Sequence, residues 1–69
     1  LPLENLADAM ALRAALELLK EDERQIVLLH ASAGLKHREI AASLGMPLAT
    51  VLSKYNRSIK KLKQNLREE

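Results

Sequence analysis

Apolar positions recur at helical spacing along most of the chain, and the breaks between them fall at polar residues or glycine. From about Leu6 to Leu19, alanine and leucine dominate and no breaker intervenes, which predicts a first helix. At about 100° per residue, Leu12, Leu16 and Leu19 form one stripe. Leu3, Leu6 and Met10 form another on a different face. A helix covered on one side needs only one stripe. Either residues Leu1 to Asn5 are a linker packed differently, the simpler reading, or the second stripe is apolar surface left for another protein.

Lys20-Glu21-Asp22 is a polar break, and Asp22 with Gln25 matches the spacing of a capping box. A second helix is therefore expected from there to about Ala33, with Ile26, Leu29 and Ala33 on one face, Val27 and Leu28 beside it, and Gly34 as its C′ residue. A third runs from about Lys36 to Leu44. The fourth starts near Pro47 or Leu48 and continues to about Leu66, with apolar positions at 51, 55, 58/59, 62 and 66. Arg67 to Glu69 should fray. No internal repeat, low-complexity tract or second domain is visible, so the fold class is all-α: a four-helix domain over residues 1–69, with 1–5 as the possible linker and a long final helix.

The stretch from His37 to Leu62 organises the rest. Ile40 and Leu44 give its first helix an apolar face, Ala41 is small where two helices must cross, and Gly45 tolerates the positive φ of a tight turn. Met46 can plug the corner, and Pro47 suits the first turn of a new helix because its missing N–H costs nothing there. Val51, Tyr55, Leu62 and Leu66 then anchor the last helix. This is the pattern of a helix-turn-helix, whose second helix enters the DNA major groove.

Composition narrows the picture. Phe and Trp are absent and Tyr55 is the only aromatic, so the core must be built from aliphatic residues and Met, which suits helices. With no cysteine there is neither a disulfide nor a thiolate metal site. No apolar run approaches the roughly 20 residues of a membrane span, and no signal-peptide pattern opens the chain, so a cytoplasmic location is expected. Because the first residue is Leu1 rather than Met, the chain reads as a fragment of a longer protein.

The formal charge of +2 hides an asymmetry: residues 1–35 carry three basic and six acidic side chains, residues 36–69 eight basic and three acidic. Six basic residues and no acid lie between Lys54 and Arg67. Such polarity fits either a surface facing a polyanion or a solvated Lys-rich helix.

Catalysis needs a constellation, and none is visible. The two histidines, His30 and His37, form no metal-ligand spacing. Ser32, Ser43, Ser53 and Ser58 lack a neighbouring base, and no glycine loop can cradle a phosphate. The chain is not expected to be an enzyme or to carry a cofactor. His30 reads as an ordinary, partly buried residue at the edge of the second helix, and His37, in the first turn of the third, either meets a phosphate or is solvated.

With Val51, Tyr55 and Leu62 turned inward, Ala49, Leu52, Ser53, Asn56, Arg57 and Lys60 point outward, with Thr50 and Lys54 toward the flanks. Ser53 and Asn56 can bond to base edges or phosphates, Asn best to adenine. Lys54, Arg57, Lys60 and Lys61 are candidates for guanine or, more often, for phosphates. Lys36 and Arg38 are candidates for the backbone across the groove. Leu52 is unusual on such a face: it either touches a thymine methyl or packs against protein.

The run from Glu21 to Leu66 resembles region 4 of bacterial RNA polymerase sigma factors, especially the extracytoplasmic-function group. The resemblance rests on Glu23-Arg24, Val27-Leu28, Gly34-Leu35, Glu39-Ile40-Ala41, Leu44-Gly45, Thr50-Val51, Ser53, Arg57 and Lys60-Lys61-Leu62. It implies a last helix that reads the promoter −35 element, helices one and two presenting an apolar surface to the flap of the polymerase β subunit, and possible regulation by an anti-sigma factor. It also implies that region 2, which melts DNA, lies outside these residues. The sequence departs from the family pattern at Lys36, where Ser or Thr usually caps, and at Leu52 and Ile59, where basic residues are common. A competing reading is the effector domain of a LuxR/NarL-type response regulator, which shares the central motif but binds DNA as a dimer. A third is an adaptor that binds protein alone.

Overall fold

The computed structural model describes the backbone of residues 6–67 and the side chains of residues 10–65. Its elements are four helices: α1 (Leu6–Glu17), α2 (Glu21–Ala31), α3 (His37–Leu44) and α4 (Leu48–Arg67). At 1.5 Å per residue the 20 residues of α4 span about 30 Å, close to the 35 Å long axis of the molecule. The other three helices pack against α4, and α2 also packs against α3. The all-α fold with a C-terminal helix-turn-helix is therefore the one expected from the sequence.

The apolar interior falls into two clusters. Ala15, Leu19, Val27 and Leu62 join α1, α2 and α4, and Ile26, Ile40, Ala41 and Val51 join α2, α3 and α4. Tyr55 packs against both. Ile26, Ile40 and Val51 are fully buried, and each such side chain contributes about 2 kcal/mol relative to exposure. Ala41 is buried where α3 meets α4, as its size requires.

Several boundaries differ from the sequence reading, each for a local reason. α1 ends at Glu17, not Leu19. Its last turn tightens, the N–H groups of Leu18 and Leu19 donating to the carbonyls of Ala15 and Leu16, each at 3.1 Å. Leu19 nevertheless stays buried, with Ala15 rather than Leu12 as its fully covered neighbour. α2 does not start from an Asp22–Gln25 box. Its N-cap is Lys20, whose N–H donates to Glu23 Oε1 at 3.1 Å, while Asp22 Oδ1 accepts from the Glu23 N–H at 2.8 Å. The box is thus set by the glutamate three residues after Lys20.

α2 also ends early, at Ala31, and Ala33 is exposed instead of lying on the inner face. Gly34 takes φ +77°, and the Leu35 N–H reaches back to the Leu29 carbonyl at 3.0 Å, closing the helix and turning the chain toward α3. Gly45 takes φ +67° at the end of α3, as the turn demands. Pro47 stands just before α4 rather than inside it, its carbonyl accepting from Thr50 and Val51 N–H at 3.1 and 3.2 Å. Met10 is 63% exposed. Leu1 to Asn5, the side chain of Leu6, that of Leu66, and Glu68-Glu69 lie outside the described residues, so neither the linker nor the rest of the Leu3/Leu6/Met10 stripe is described.

Candidate nucleic-acid interface

The outward row of α4 follows from its inner one. Because Val51, Ser58 and Leu62 are buried and Tyr55 and Ile59 are half-buried, helical periodicity turns Ala49, Ser53, Asn56, Arg57 and Lys60 to solvent. Leu52 is exposed too, and Thr50 and Lys54 are half-buried on the flank. Ala49, Thr50, Ser53, Lys54 and Arg57 line a shallow depression of about 350 Å³. Lys36 and Arg38 are exposed at the start of α3. Lys36 is the N-cap of α3, but its side chain makes no capping bond. Its N–H donates to Glu39 Oε1 at 2.7 Å, so Glu39 does the capping work that a Ser or Thr would share.

The basic residues of α4 divide into two sets. Lys54 Nζ lies 2.8 Å from Asp22 Oδ2, and Lys61 Nζ lies 3.1 Å from Glu23 Oε1. Both lysines are thereby drawn onto the N-terminal turn of α2. Arg57, Lys60 and Lys63, like Arg38 on α3, are exposed and form no ion pair with another described residue. Sequence spacing groups Lys54 and Lys61 with the other basic residues, whereas the tertiary structure gives them internal partners. Asp22 is held below its ordinary carboxyl range first by the Lys54 ammonium. For Glu23, burial pushes the carboxyl up, but the Lys20 N–H and the Lys61 ammonium outweigh it and leave the group below its usual 4.5.

A second structural centre lies where α2, α3 and α4 meet. The rings of His30 and His37 stack with centroids 4.3 Å apart and planes at 16°, and Tyr55 meets both edge-on, at 4.9 and 4.7 Å. His30 Nδ1 donates to the Leu35 carbonyl at 2.8 Å, which fixes its proton on that nitrogen. His37 Nε2 is buried without a partner. Burial, and then the neighbouring His30, hold His37 below its ordinary 6.5. His37 thus lays its ring against His30 and Tyr55, while the residue as a whole is half-buried. The burial of Glu23 and this aromatic trio escaped the sequence reading, whereas Ser58, fully buried, falls at the inner position 58/59 that the spacing marks. Only Glu23 left a signal, three residues after Lys20. Ser58 closes its hydroxyl onto the Lys54 carbonyl at 2.6 Å and acts as a small spacer under the other helices.

On the opposite side an open, largely apolar groove of about 840 Å³ runs between α1, α2 and α4. Leu12, Leu16, Val27, Leu28, Ile59 and Leu62 form its floor, and Arg13, Glu17 and Arg24 stand at its rim. Arg24 Nη2 donates to the Leu19 carbonyl at 3.4 Å, and its Nε is buried without a partner. Among the described residues no group of acidic or histidine side chains could hold a metal ion, and no helix is long and apolar enough to cross a membrane.

Comparison with curated proteins and with solved structures returns no match. The family model described as Sigma-70, region 4 matches residues 9–62, which span most of α1, all of α2 and α3 and most of α4. The chain belongs to the sigma-70 region 4 family, a DNA-binding helix-turn-helix domain of sigma factors that acts in transcription initiation.

Proposed function

We propose that this chain is the promoter-recognition domain of a sigma factor of the extracytoplasmic-function group, with α4 lying in the major groove of the −35 element. The observation that carries the reading is the uninterrupted exposed row Ala49, Ser53, Asn56, Arg57 and Lys60 on a helix whose opposite edge is anchored in the core. Ser53 and Asn56 supply hydrogen-bonding groups for base edges. Arg57 and Lys60, with Lys36 and Arg38 from α3, supply charge for the phosphates on either side. Thr50, Leu52, Lys54 and Lys61 complete the candidate surface, the two lysines already leaning toward α2.

The apolar groove between α1, α2 and α4 is the surface for the flap of the RNA polymerase β subunit. An amphipathic helix fits such a groove, laying apolar residues over Leu12, Leu16 and Leu28. An anti-sigma factor that covered this groove or α4 would block initiation.

The deciding experiment is an NMR titration of the labelled chain, first with duplex promoter DNA and then with the isolated β flap. Shifts at Ser53, Asn56 and Arg57 with DNA, and at Leu16, Leu28 and Arg24 with the flap, are expected. A flap that produces no shifts at millimolar concentration, together with a two-fold symmetric DNA footprint, would replace this reading with the dimeric response-regulator effector.

A further inference from the structure

Leu48 and Leu52 are large, apolar and exposed, at 45% and 39% of their surface. They stand four residues apart on α4, one turn from each other on the same flank. Their neighbours across the exposed row are Ala49, Ser53 and Asn56. The first turn of α4 carries no acid, and the pair borders the exposed row on the flank that leads toward half-buried Ile59. Lys54 and Lys61 occupy the opposite flank, tied to α2. Neither leucine has a hydrogen-bonding group, so neither can discriminate bases by donors and acceptors. On the major-groove edges of the four bases, the one apolar feature is the C5-methyl of thymine.

We propose that Leu48 and Leu52 are specificity-determining residues that read thymine methyl groups at the N-terminal end of α4. This inference rests on α4 being the groove-entering helix. Side chains one turn apart have Cβ atoms about 5–6 Å apart, and base steps are about 3.4 Å apart along the strand. The two methyls therefore belong to thymines one or two steps apart. Ser53 and Asn56 read the adjoining pairs through hydrogen bonds, so the helix combines an apolar half-site with a polar one. The pair gives the recognition helix a preference that its charges alone cannot supply, because phosphate contacts are indifferent to sequence.

The test selects a preferred duplex for the 69-residue chain from a randomised library, then replaces its thymines one at a time by deoxyuridine. That exchange deletes the methyl and keeps base pairing intact. Binding is followed by fluorescence anisotropy at fixed salt. One or two neighbouring replacements should weaken binding by about fourfold each, the value of one buried methyl group. Leu52→Ala should bind the thymine and deoxyuridine duplexes alike at one of those positions, and Leu48→Ala at the other. Sequence-selective binding with no deoxyuridine effect at any position overturns the inference while leaving the DNA-binding reading intact, and returns the leucines to a protein contact. Retention of the full deoxyuridine effect by both variants overturns it in the same way. Failure to enrich any sequence overturns the promoter-recognition reading and this inference with it. The measurement on the unaltered chain does not depend on how the variants fold.

Discussion

Glu23 concentrates several effects in one carboxylate. It caps α2 through the Lys20 N–H, it is 1% exposed, and its charge is balanced by Lys61 from α4. Removing the cation leaves a buried charge with one backbone donor, a costly arrangement. Lys61→Met should therefore destabilise the chain by about 2 kcal/mol, the full cost of a broken buried pair being reduced because water reaches the Lys61 side. Urea denaturation followed by circular dichroism measures this directly. His37 makes a second prediction. Its folded-state pKa is depressed, so the unfolded chain binds the proton more tightly. Stability from this site is complete above the ordinary value of 6.5 and declines as pH falls below it. Asp22 and Glu23, also depressed, add a further loss below their ordinary values of 3.8 and 4.5. A pH series of melting curves should show the first decline beginning near neutrality, and His37→Phe should remove that first phase alone.

At the scale of elements, the α3–turn–α4 unit was legible because its geometry is local. Gly45 must take φ +67°, Ala41 must be small, and Val51 must face inward, and each requirement leaves a residue type at a fixed offset. The turn itself gives a clean test. A Cβ at Gly45 would meet nothing within 4 Å, so Gly45→Ala should cost only the left-handed backbone, about 1–2 kcal/mol. A thermal melt measures it, and DNA affinity should survive once folding is secured. The start of α2 was less legible, since Asp22 and Glu23 sit side by side and either could cap. Which one faces the Lys20 N–H depends on Lys54 and Lys61 standing across from them. The ends of α1 and α2 moved by two residues because turn hydrogen bonds, which have no periodic signature, closed them.

For the whole molecule, charge asymmetry along the chain becomes two relations in space. Lys54 and Lys61 from the basic half neutralise the acidic start of α2, and Lys36, Arg38, Arg57, Lys60 and Lys63 are exposed. Affinity for duplex DNA should accordingly depend on Lys36, Arg38, Arg57 and Lys60 more than on Lys54 and Lys61. If all four reach phosphates, log affinity should fall against log salt with a slope of roughly −3.6. Arg57→Ala should weaken binding about equally for every sequence, reduce the magnitude of the salt slope by roughly 0.9, and leave the melting temperature unchanged, because the side chain is exposed. Titrations at several salt concentrations beside a thermal melt check both statements. The sequence by itself determined the helical class, the helix-turn-helix and the row of residues turned to solvent, because periodicity, glycine and proline act within a few residues. Only the tertiary structure decided that Lys54 and Lys61 have acidic partners on α2, that His30, His37 and Tyr55 form one packed corner, and that an apolar groove is left between α1, α2 and α4. Those features join residues far apart in the chain, and no local spacing encodes which of them meet.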